Sequence, residues 1–433
     1  MKDRVKYKNI DKSYLDCVHC GKCLSGCPSY VANLNEFYSP RGRVRLILTD
    51  DADKLPLRAP KVSETMSSCL LCGRCVKICP NGVKIDKLII DEKIRLNELT
   101  GHVFSIDKFA LKALKNKRKV LLKSALEIGN IPIIEKLSRR YAPKPEGKSF
   151  ISNKDLAFNA IFPINESLGK NVFKVGYFSG CVFNSIYPQI SVDTIISLTQ
   201  NGIDVFVPKT QGCCGLPFIS SGDIKSFREL ALNNVRAFKD KEIHYIVTSC
   251  ASCAYSINKL YPLYFNANED EYAEIKQFSE KLLNIWSFFK ELEKKGVNIK
   301  SGELKKETEV VFHAPCHLSN MPEFKPASSN ENLIGEAGFI ADKINGLKLK
   351  PLNHNYCCGN GGMFNIRHYN LSKKITSRKF EEIKEASPQE VLTSCSGCMF
   401  SLKDQKGILE GSERLPVRHL ISVYAQSLKE LKE

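Results

Sequence analysis

The amino-acid sequence predicts a mixed α+β / α/β chain: a helical, cysteine-dense N-terminal module followed by two duplicated α/β units, each on a parallel sheet. Three observations predict it. Eight of the eighteen cysteines fall in two C-x2-C-x2-C-x3-C-P runs within the first eighty residues. The other ten form two sets of five whose order and spacing recur at an offset of 135 to 145 residues. Between those ten, short apolar runs alternate with helix-length amphipathic ones, the pattern of strand–helix units around a parallel sheet.

CVHCGKCLSGCP (17–28) and CLLCGRCVKICP (69–80) come first along the chain. Three thiolates in a tight loop grip three corners of a [4Fe–4S] cube, and the fourth, beside proline, leaves the loop to ligate the other cluster. That assigns Cys17, Cys20, Cys23 and Cys79 to one cubane, and Cys69, Cys72, Cys75 and Cys27 to the other. Gly21 and Gly73 let each loop turn tightly. Zinc also takes C-x2-C, but its four ligands give no reason for a third cysteine and a proline repeated at identical spacing. Residues 1–100 therefore read as a two-[4Fe–4S] ferredoxin-like domain, with helices over PRGRVRLILTDD (40–51) and KIDKLIIDEKIRLNEL (84–99). Arg41 and Arg43 either raise the potential of the nearby cubane or cap the following turn.

Residues 101–170 read as a basic helical connector. Lys108 to Arg140 is amphipathic, and YAPKPEGKSF (141–150) carries the proline and glycine of a linker. Residues 101–150 hold twelve Lys or Arg against four Asp or Glu. That face is either solvated or a docking surface for an acidic partner or anionic lipid.

The first α/β unit is placed at 171–300. FKVGYFSGC (173–181), IDVFVP (203–208) and IHYIVTSC (243–250) read as strands, and PQISVDTIISLTQNG (188–202) and IKSFRELALNNVRAFK (224–239) as helices. The second unit, 301–433, repeats the plan: EVVFHAPC (309–316) is a strand, NLSKKITSRKFEEIK (370–384) a helix, and EVLTSCSGC (390–398) a closing strand. The cysteines sit in loops at strand carboxyl ends.

Those cysteines follow C-x31-CC-x35-C-x2-C (Cys181, Cys213, Cys214, Cys250, Cys253) and C-x40-CC-x36-C-x2-C (Cys316, Cys357, Cys358, Cys395, Cys398). A mononuclear tetrahedral site has no use for a fifth thiolate, and adjacent cysteines chelate one small ion awkwardly because successive side chains diverge. A polynuclear cluster suits them better. A vicinal disulfide and a structural zinc using four of the five thiolates stand as alternatives. Glycines at 212, 215, 359, 361 and 362 would let the main chain approach a cluster closely.

This cysteine-rich CCG repeat resembles that of the catalytic subunit of heterodisulfide reductases and its relatives, the iron–sulfur subunits of glycolate, lactate and glycerol-3-phosphate dehydrogenases. A dicluster module followed by two CCG repeats resembles the D-type heterodisulfide reductase subunit and the glycolate oxidase iron–sulfur subunit. The resemblance implies two non-cubane [4Fe–4S] clusters at complete CCG motifs, with zinc the alternative in one of them. It implies flavoprotein or other redox subunits as partners, and a membrane-anchored quinone- or haem-binding partner. CPSY (27–30) and SPRGR (39–43) look like the glycolate oxidase subunit. That subunit usually lacks the first cysteine of each closing C-x2-C, whereas this chain keeps both, in SCASC (249–253) and SCSGC (394–398). Complete motifs imply cluster chemistry of the heterodisulfide-reductase kind, with Cys213, Cys214, Cys357, Cys358 and His317 as the residues expected to carry it. His313 and His317 flank Cys316 and either donate protons to a bound thiolate or brace the loop, and His354 beside the second pair is equally open.

Composition narrows the rest. A formal charge of +17 invites nucleic acid, but it counts cysteines as neutral where ligating cysteines are thiolates. No RNP, zinc-finger or helix-turn-helix signature accompanies it, so nucleic acid is not an expected partner. No Walker A occurs, and CGNGG (358–362) is explained by its cysteine, so no nucleotide or flavin site is expected in this chain. No apolar run is long enough for a membrane helix and the N-terminus has no apolar h-region; the expectation is a cytoplasmic protein, with docking at the inner face of a membrane through a partner. Two functions follow. In one, an oxidoreductase subunit passes electrons through the cubanes to CCG clusters that reduce a disulfide. In the other, it only relays electrons from an FAD-linked hydroxy-acid or glycerol-3-phosphate dehydrogenase towards quinone.

Overall fold

The structure, a computed structural model, describes residues 12–51, 60–100, 173–239, 242–320, 336–408, 411–412 and 414–430. The basic connector expected over 101–170 lies outside the described residues.

The N-terminal module is helical. Prolines start its helices Pro28–Asn33, Pro40–Asp51 and Pro60–Ser67, where the missing N–H is no loss and φ is preset for the helix. Helix Ile85–Thr100 buries Ile85, Leu88, Ile89, Ile90, Ile94 and Leu96, and packs on the two helices before it. It also locks the module to the first repeat. Gly222 (φ +84°) lies so near that a Cβ there would stand 2.2 Å from the Lys93 carbonyl oxygen. Asn97 Nδ2 donates to the Gly222 carbonyl (3.1 Å), and Tyr264 Oη to Asp91 Oδ1 (3.0 Å).

Each repeat is a four-stranded, all-parallel sheet. β1 (Phe173–Tyr177), β2 (Ile203–Phe206), β3 (Tyr245–Thr248) and β4 (Leu282–Asn284) lie in the order β2-β1-β3-β4. β5 (Gly302–His313), β6 (Ile344–Lys350), β7 (Glu390–Thr393) and β8 (Val417–His419) repeat it as β6-β5-β7-β8. Val175 pairs with Val205 on one side and Tyr245 on the other; Val310 pairs with Leu349 and Glu390 in the same way. β3 and β7 end in three consecutive buried residues, as strands covered on both faces do. The strand order reverses between β1 and β3, and between β5 and β7. Crevices outside the carboxyl ends of the strands at such switch points are where open α/β sheets take ligands. Cys181 and Cys316 follow β1 and β5, while Cys250 and Cys395 follow β3 and β7, so each set opens at its sheet's switch point.

The two sheets share one continuous core. Helix Pro188–Gln200 of the first repeat packs on helix Leu420–Glu430 of the second. Asn201 Nδ2 donates to Tyr424 Oη (3.1 Å), whose hydroxyl donates to the Lys300 carbonyl (2.7 Å). Trp286 stacks on His419 (6.1 Å between centroids), and Phe183 meets the same ring edge-on (5.3 Å). β4 and β8, three residues each, escape a sequence reading because an alternation of period 2 needs at least four residues to show.

Candidate metal centres

The N-terminal cysteines separate by burial. Cys27, Cys69, Cys72 and Cys75 together line one cavity, with Arg43 and Asp86 on its wall. These are the four residues that the proline rule groups into one ligand set. Cys27 leaves the Cys23–Gly26 helix at φ −85°, ψ 112° and caps Pro28–Asn33, which carries it across to the other loop. Leu71 (φ +55°) and Gly73 (φ +73°) turn the loop of the remaining three. Burial pushes the Cys72 thiol up to about 12 and the Cys75 thiol well above its ordinary value, with neighbouring thiols adding to the rise. Thiols packed this tightly away from water become thiolates only against compensating positive charge, which a metal cluster supplies. The donor set, its closure around one cavity and its need for cationic charge all fit an iron–sulfur cubane.

Arg43 is 1% exposed, and its guanidinium is held on every side. Nε donates to the Thr65 carbonyl (3.1 Å), and Nη2 to Ser29 Oγ (3.0 Å) and to the carbonyl and hydroxyl of Ser68 (3.0 and 2.8 Å). Nη1 lies 3.9 Å from Cys27 Sγ. Arg41, by contrast, pairs with Glu36 (2.6 Å) near the surface and reaches the His19 carbonyl (3.4 Å). Among the other four cysteines Cys20 is exposed, Cys17 and Cys79 are half-buried and Cys23 is buried. Burial raises Cys23 to about 11, with the thiols of Cys17 and Cys27 contributing. The Cys79 loop lies beside them, Ile78 packing on Gly26.

The ten C-terminal cysteines converge as two sets. In the first repeat Cys181 Sγ lies 3.5 Å from Cys213 Sγ, and Cys214, Cys250 and Cys253 lie close enough to shift one another's ionisation. In the second, Cys358 Sγ lies 3.4 Å from Cys398 Sγ, and Cys358 contacts Cys357 as Cys395 contacts Cys398. Interactions with neighbouring thiols hold Cys214, Cys358 and Cys395 well below the usual thiol range, while Cys213, Cys357 and Cys398 are pushed up. All eighteen cysteines lie among the described residues and none is joined in a disulfide.

The loops are braced by polar residues that spacing alone did not reveal. Ser256 Oγ donates to the Cys214 carbonyl (2.8 Å) and its repeat partner Ser401 to the Cys358 carbonyl (2.6 Å). Two residues before each pair, an amide side chain ties the loop to the end of the central strand. Gln211 Nε2 donates to the Tyr177 carbonyl (3.1 Å), and Asn355 Nδ2 to the Ala314 carbonyl (2.9 Å). Glu382, salt-bridged to the fully buried Lys379 (2.9 Å), accepts the backbone N–H groups of His354, Asn355 and Tyr356. His354 thus acts through its main chain, its ring stacked on Tyr356. Gly215 (φ +82°) and Gly359 (φ +78°) turn the chain after each pair against Phe227 and Thr376, where a Cβ would clash at 2.6 and 2.5 Å. The signal that would have found Ser256 and Ser401 is the 145-residue offset, applied to polar positions as well as to cysteines.

The two sets adjoin. Cys250 and Cys395, the first cysteines of the closing pairs, lie at the junction of the repeats. Their neighbours cross over reciprocally: Ser396 Oγ is 3.1 Å from Cys250 Sγ, and Ser252 Oγ is 3.0 Å from Cys395 Sγ. Ala251 N–H donates to the Ser394 carbonyl (3.0 Å). His317 stands at the same junction. One ring nitrogen meets Ser252 Oγ (3.0 Å), the other the Leu71 carbonyl of the cubane loop (3.3 Å), and Tyr255 stacks on its face (4.4 Å). Burial holds its imidazole below its ordinary pKa. Cys316 and Cys357 pack with Cys72 in one small cluster, so the second set adjoins the cubane cavity.

Comparison with known proteins agrees with this layout. A 4Fe-4S dicluster domain family matches residues 13–83, and a CCG cysteine-rich domain family matches 175–258 and 310–403. The chain is 25% identical to the probable glycolate oxidase iron-sulfur subunit of Bacillus subtilis, over 93% of this chain and 91% of that one. It is 24% identical to a fumarate reductase (CoM/CoB) subunit of Methanothermobacter marburgensis, over 91% of this chain and 68% of that one. Lactate utilization protein A 1 of Bacillus mycoides is 26% identical over 59% of this chain and 98% of its own length. No helix among the described residues is long and apolar enough to cross a membrane.

Proposed function

The chain belongs to the iron–sulfur oxidoreductase subunits that join a 4Fe-4S dicluster domain to paired CCG cysteine-rich domains, and from that membership we propose that it passes electrons inward to two adjoining five-cysteine centres at which a disulfide is reduced. When bound, iron–sulfur clusters supply one-electron transfer and iron that takes up thiolates, which lets a two-electron disulfide cleavage proceed in single steps. Cys17, Cys20, Cys23 and Cys79 would hold the outer cubane, near the exposed Cys20, where a redox partner can reach it. Cys27, Cys69, Cys72 and Cys75 would hold the inner one, with Arg43 beside Cys27. The two sets of five would hold the remaining clusters. His317 keeps the three cysteine regions in register through Ser252 and Leu71, which engage both of its ring nitrogens.

The observation that carries this reading is the crossing of the two closing loops, where Ser396 Oγ lies 3.1 Å from Cys250 Sγ and Ser252 Oγ lies 3.0 Å from Cys395 Sγ. The two cysteines that complete the motifs each lie beside the closing loop of the other repeat, which gives a disulfide's two sulfurs a pair of adjoining centres. A chain that only relays electrons needs neither completion nor adjoining centres. The relay reading, with a flavoprotein dehydrogenase as partner, is favoured by the CPSY and SPRGR segments and by the Bacillus subtilis relative spanning 93% of the chain. Anaerobically purified protein is expected to hold about sixteen irons, four for each cluster. Added thiol should then give the oxidised protein a new paramagnetic signal, lost in Cys357→Ser or Cys358→Ser. About eight irons, or no thiol-dependent signal in fully loaded protein, would leave the relay reading alone.

A further inference from the structure

The two repeats match at their strand ends except at one buried position. Three residues before the first cysteine of each set, the first repeat has Phe178 and the second has His313. Phe178 is fully buried against Phe238, in apolar surroundings. His313 closes β5, is 2% exposed, and its Nδ1 has no hydrogen-bond partner. A buried polar nitrogen left unpaired gives up its bonds to water for nothing, so natural cores keep one where something absent from the protein chain satisfies it.

The surroundings indicate what that is. A ring nitrogen of His313 and the sulfurs of Cys358 and Cys398 all lie within 4.8 Å of one another, and all three residues are buried. Nitrogen and sulfur ligands at about 2.0 and 2.3 Å from one metal stand roughly 3.5–4 Å apart, so this spacing needs only a small closure. β5 fixes the histidine's backbone, with His313 paired to Thr393 of β7, and Thr393 Oγ1 donates to the His313 carbonyl (3.0 Å). The ring is thus aimed by the sheet rather than by a loop.

We propose that His313 is a nitrogen donor to the metal centre of the second repeat, a ligand that the first repeat, with Phe178 in the same place, does not have. The inference rests on reading the repeats as metal sites. It makes the two centres chemically different despite their duplicated cysteines. A neutral imidazole carries no negative charge, so where it takes the place of a thiolate the second centre accepts an electron more readily than an all-thiolate one. That centre is also the one packed beside Cys72 and the inner cubane cavity. Electrons entering through the dicluster module therefore meet the histidine-bearing centre first.

The test is pulsed EPR on anaerobically purified, reduced holoprotein grown with 15N-histidine, together with iron and zinc counts. A histidine nitrogen coupling of directly ligated size is expected, changing from the 14N to the 15N pattern on labelling. It should disappear in His313→Gln and in His313→Phe, the latter matching the first repeat's residue, and persist in His317→Ala. No such coupling in a protein holding about sixteen irons, or coupling that survives both His313 variants, or its loss in His317→Ala, overturns the assignment. Should the His313 variants lose iron, labelled His317→Ala decides alone, since coupling there has no other histidine of the HAPCHL segment to come from. A count of about eight irons and no zinc instead overturns the reading of the repeats as metal sites, separately from the role of His313.

Discussion

Replacing Arg43 by methionine should lower the reduction potential of the inner cubane. Its guanidinium is a fully buried positive charge 3.9 Å from Cys27 Sγ. Two unit charges about 4 Å apart interact by about 4 kcal/mol at an effective dielectric of ~20. Tenfold in a one-electron equilibrium is about 1.4 kcal/mol or about 59 mV, so the ceiling on the effect is roughly 170 mV. An added electron is shared among the four cysteines of the cavity rather than resting on Cys27, which brings the expected shift to on the order of 50–100 mV downward. Methionine keeps the length of the side chain but leaves the Thr65 and Ser68 carbonyls without their donor, at about 1–3 kcal/mol for each unsatisfied group. Thermal stability should therefore fall as well. The assay is an EPR-monitored redox titration of anaerobic holoprotein, with iron counted in each sample and Arg43→Lys as the charge-preserving control. Arg43→Lys should recover most of the potential but not all of the stability. An Arg43→Met protein with full iron and an inner-cubane potential within about 20 mV of wild type would refute the electrostatic argument.

Two further perturbations test how the chain holds its sites. Glu382→Gln leaves Lys379 buried without its partner and should cost about 3–5 kcal/mol in urea unfolding, whereas Lys379→Met combined with Glu382→Gln should recover much of that. Burial pushes the Glu382 carboxyl up, but Lys379 and the loop N–H groups outweigh it and hold its pKa below the usual value. Its contribution is therefore complete above the unfolded carboxylate pKa of about 4.3 and is lost only as the pH falls through the lower folded value; a gap between wild type and variant that closes at neutral pH would contradict this. Gly222→Val sets a β-branched residue at φ +84° with its Cβ against the Lys93 carbonyl. It should cost about 2–5 kcal/mol and loosen the dicluster module from the first repeat, read as faster limited proteolysis between them, and an unchanged melting temperature would refute the close approach.

Much of the organisation was legible because cysteine spacing is a chemical constraint before it is a structural one. The grouping of Cys27 with Cys69, Cys72 and Cys75 follows from the proline after each run, and the same four residues surround one cavity. The helix over 40–51 and the strands leading to Cys181, Cys250, Cys316 and Cys395 show as apolar periodicity and occur where it places them. Less legible were residues whose role depends on another part of the chain. His317 reads in sequence as a catalytic candidate; in the fold it bridges Ser252 and Leu71, residues 65 and 246 positions away. His313 and Phe178 differ silently until the cysteines around them are assembled.

What the sequence determined by itself is the inventory: two cysteine quartets, two cysteine quintets, a duplicated parallel-sheet scaffold and the presence of both closing cysteines. Local spacing decides these, since ligands within one loop are held at fixed distances by a few backbone dihedrals. What only the tertiary structure decided is adjacency. The approach of Ser396 to Cys250 and of Ser252 to Cys395, the packing of Cys316 and Cys357 on Cys72, and the unpaired nitrogen of His313 among buried sulfurs all join segments far apart in the chain. Such contacts are set by how the two sheets and the dicluster module share one core, through pairs such as Gly222 with Lys93 and Asn201 with Tyr424. Packing complementarity of that kind is spread over many residues and leaves no periodic mark in the sequence.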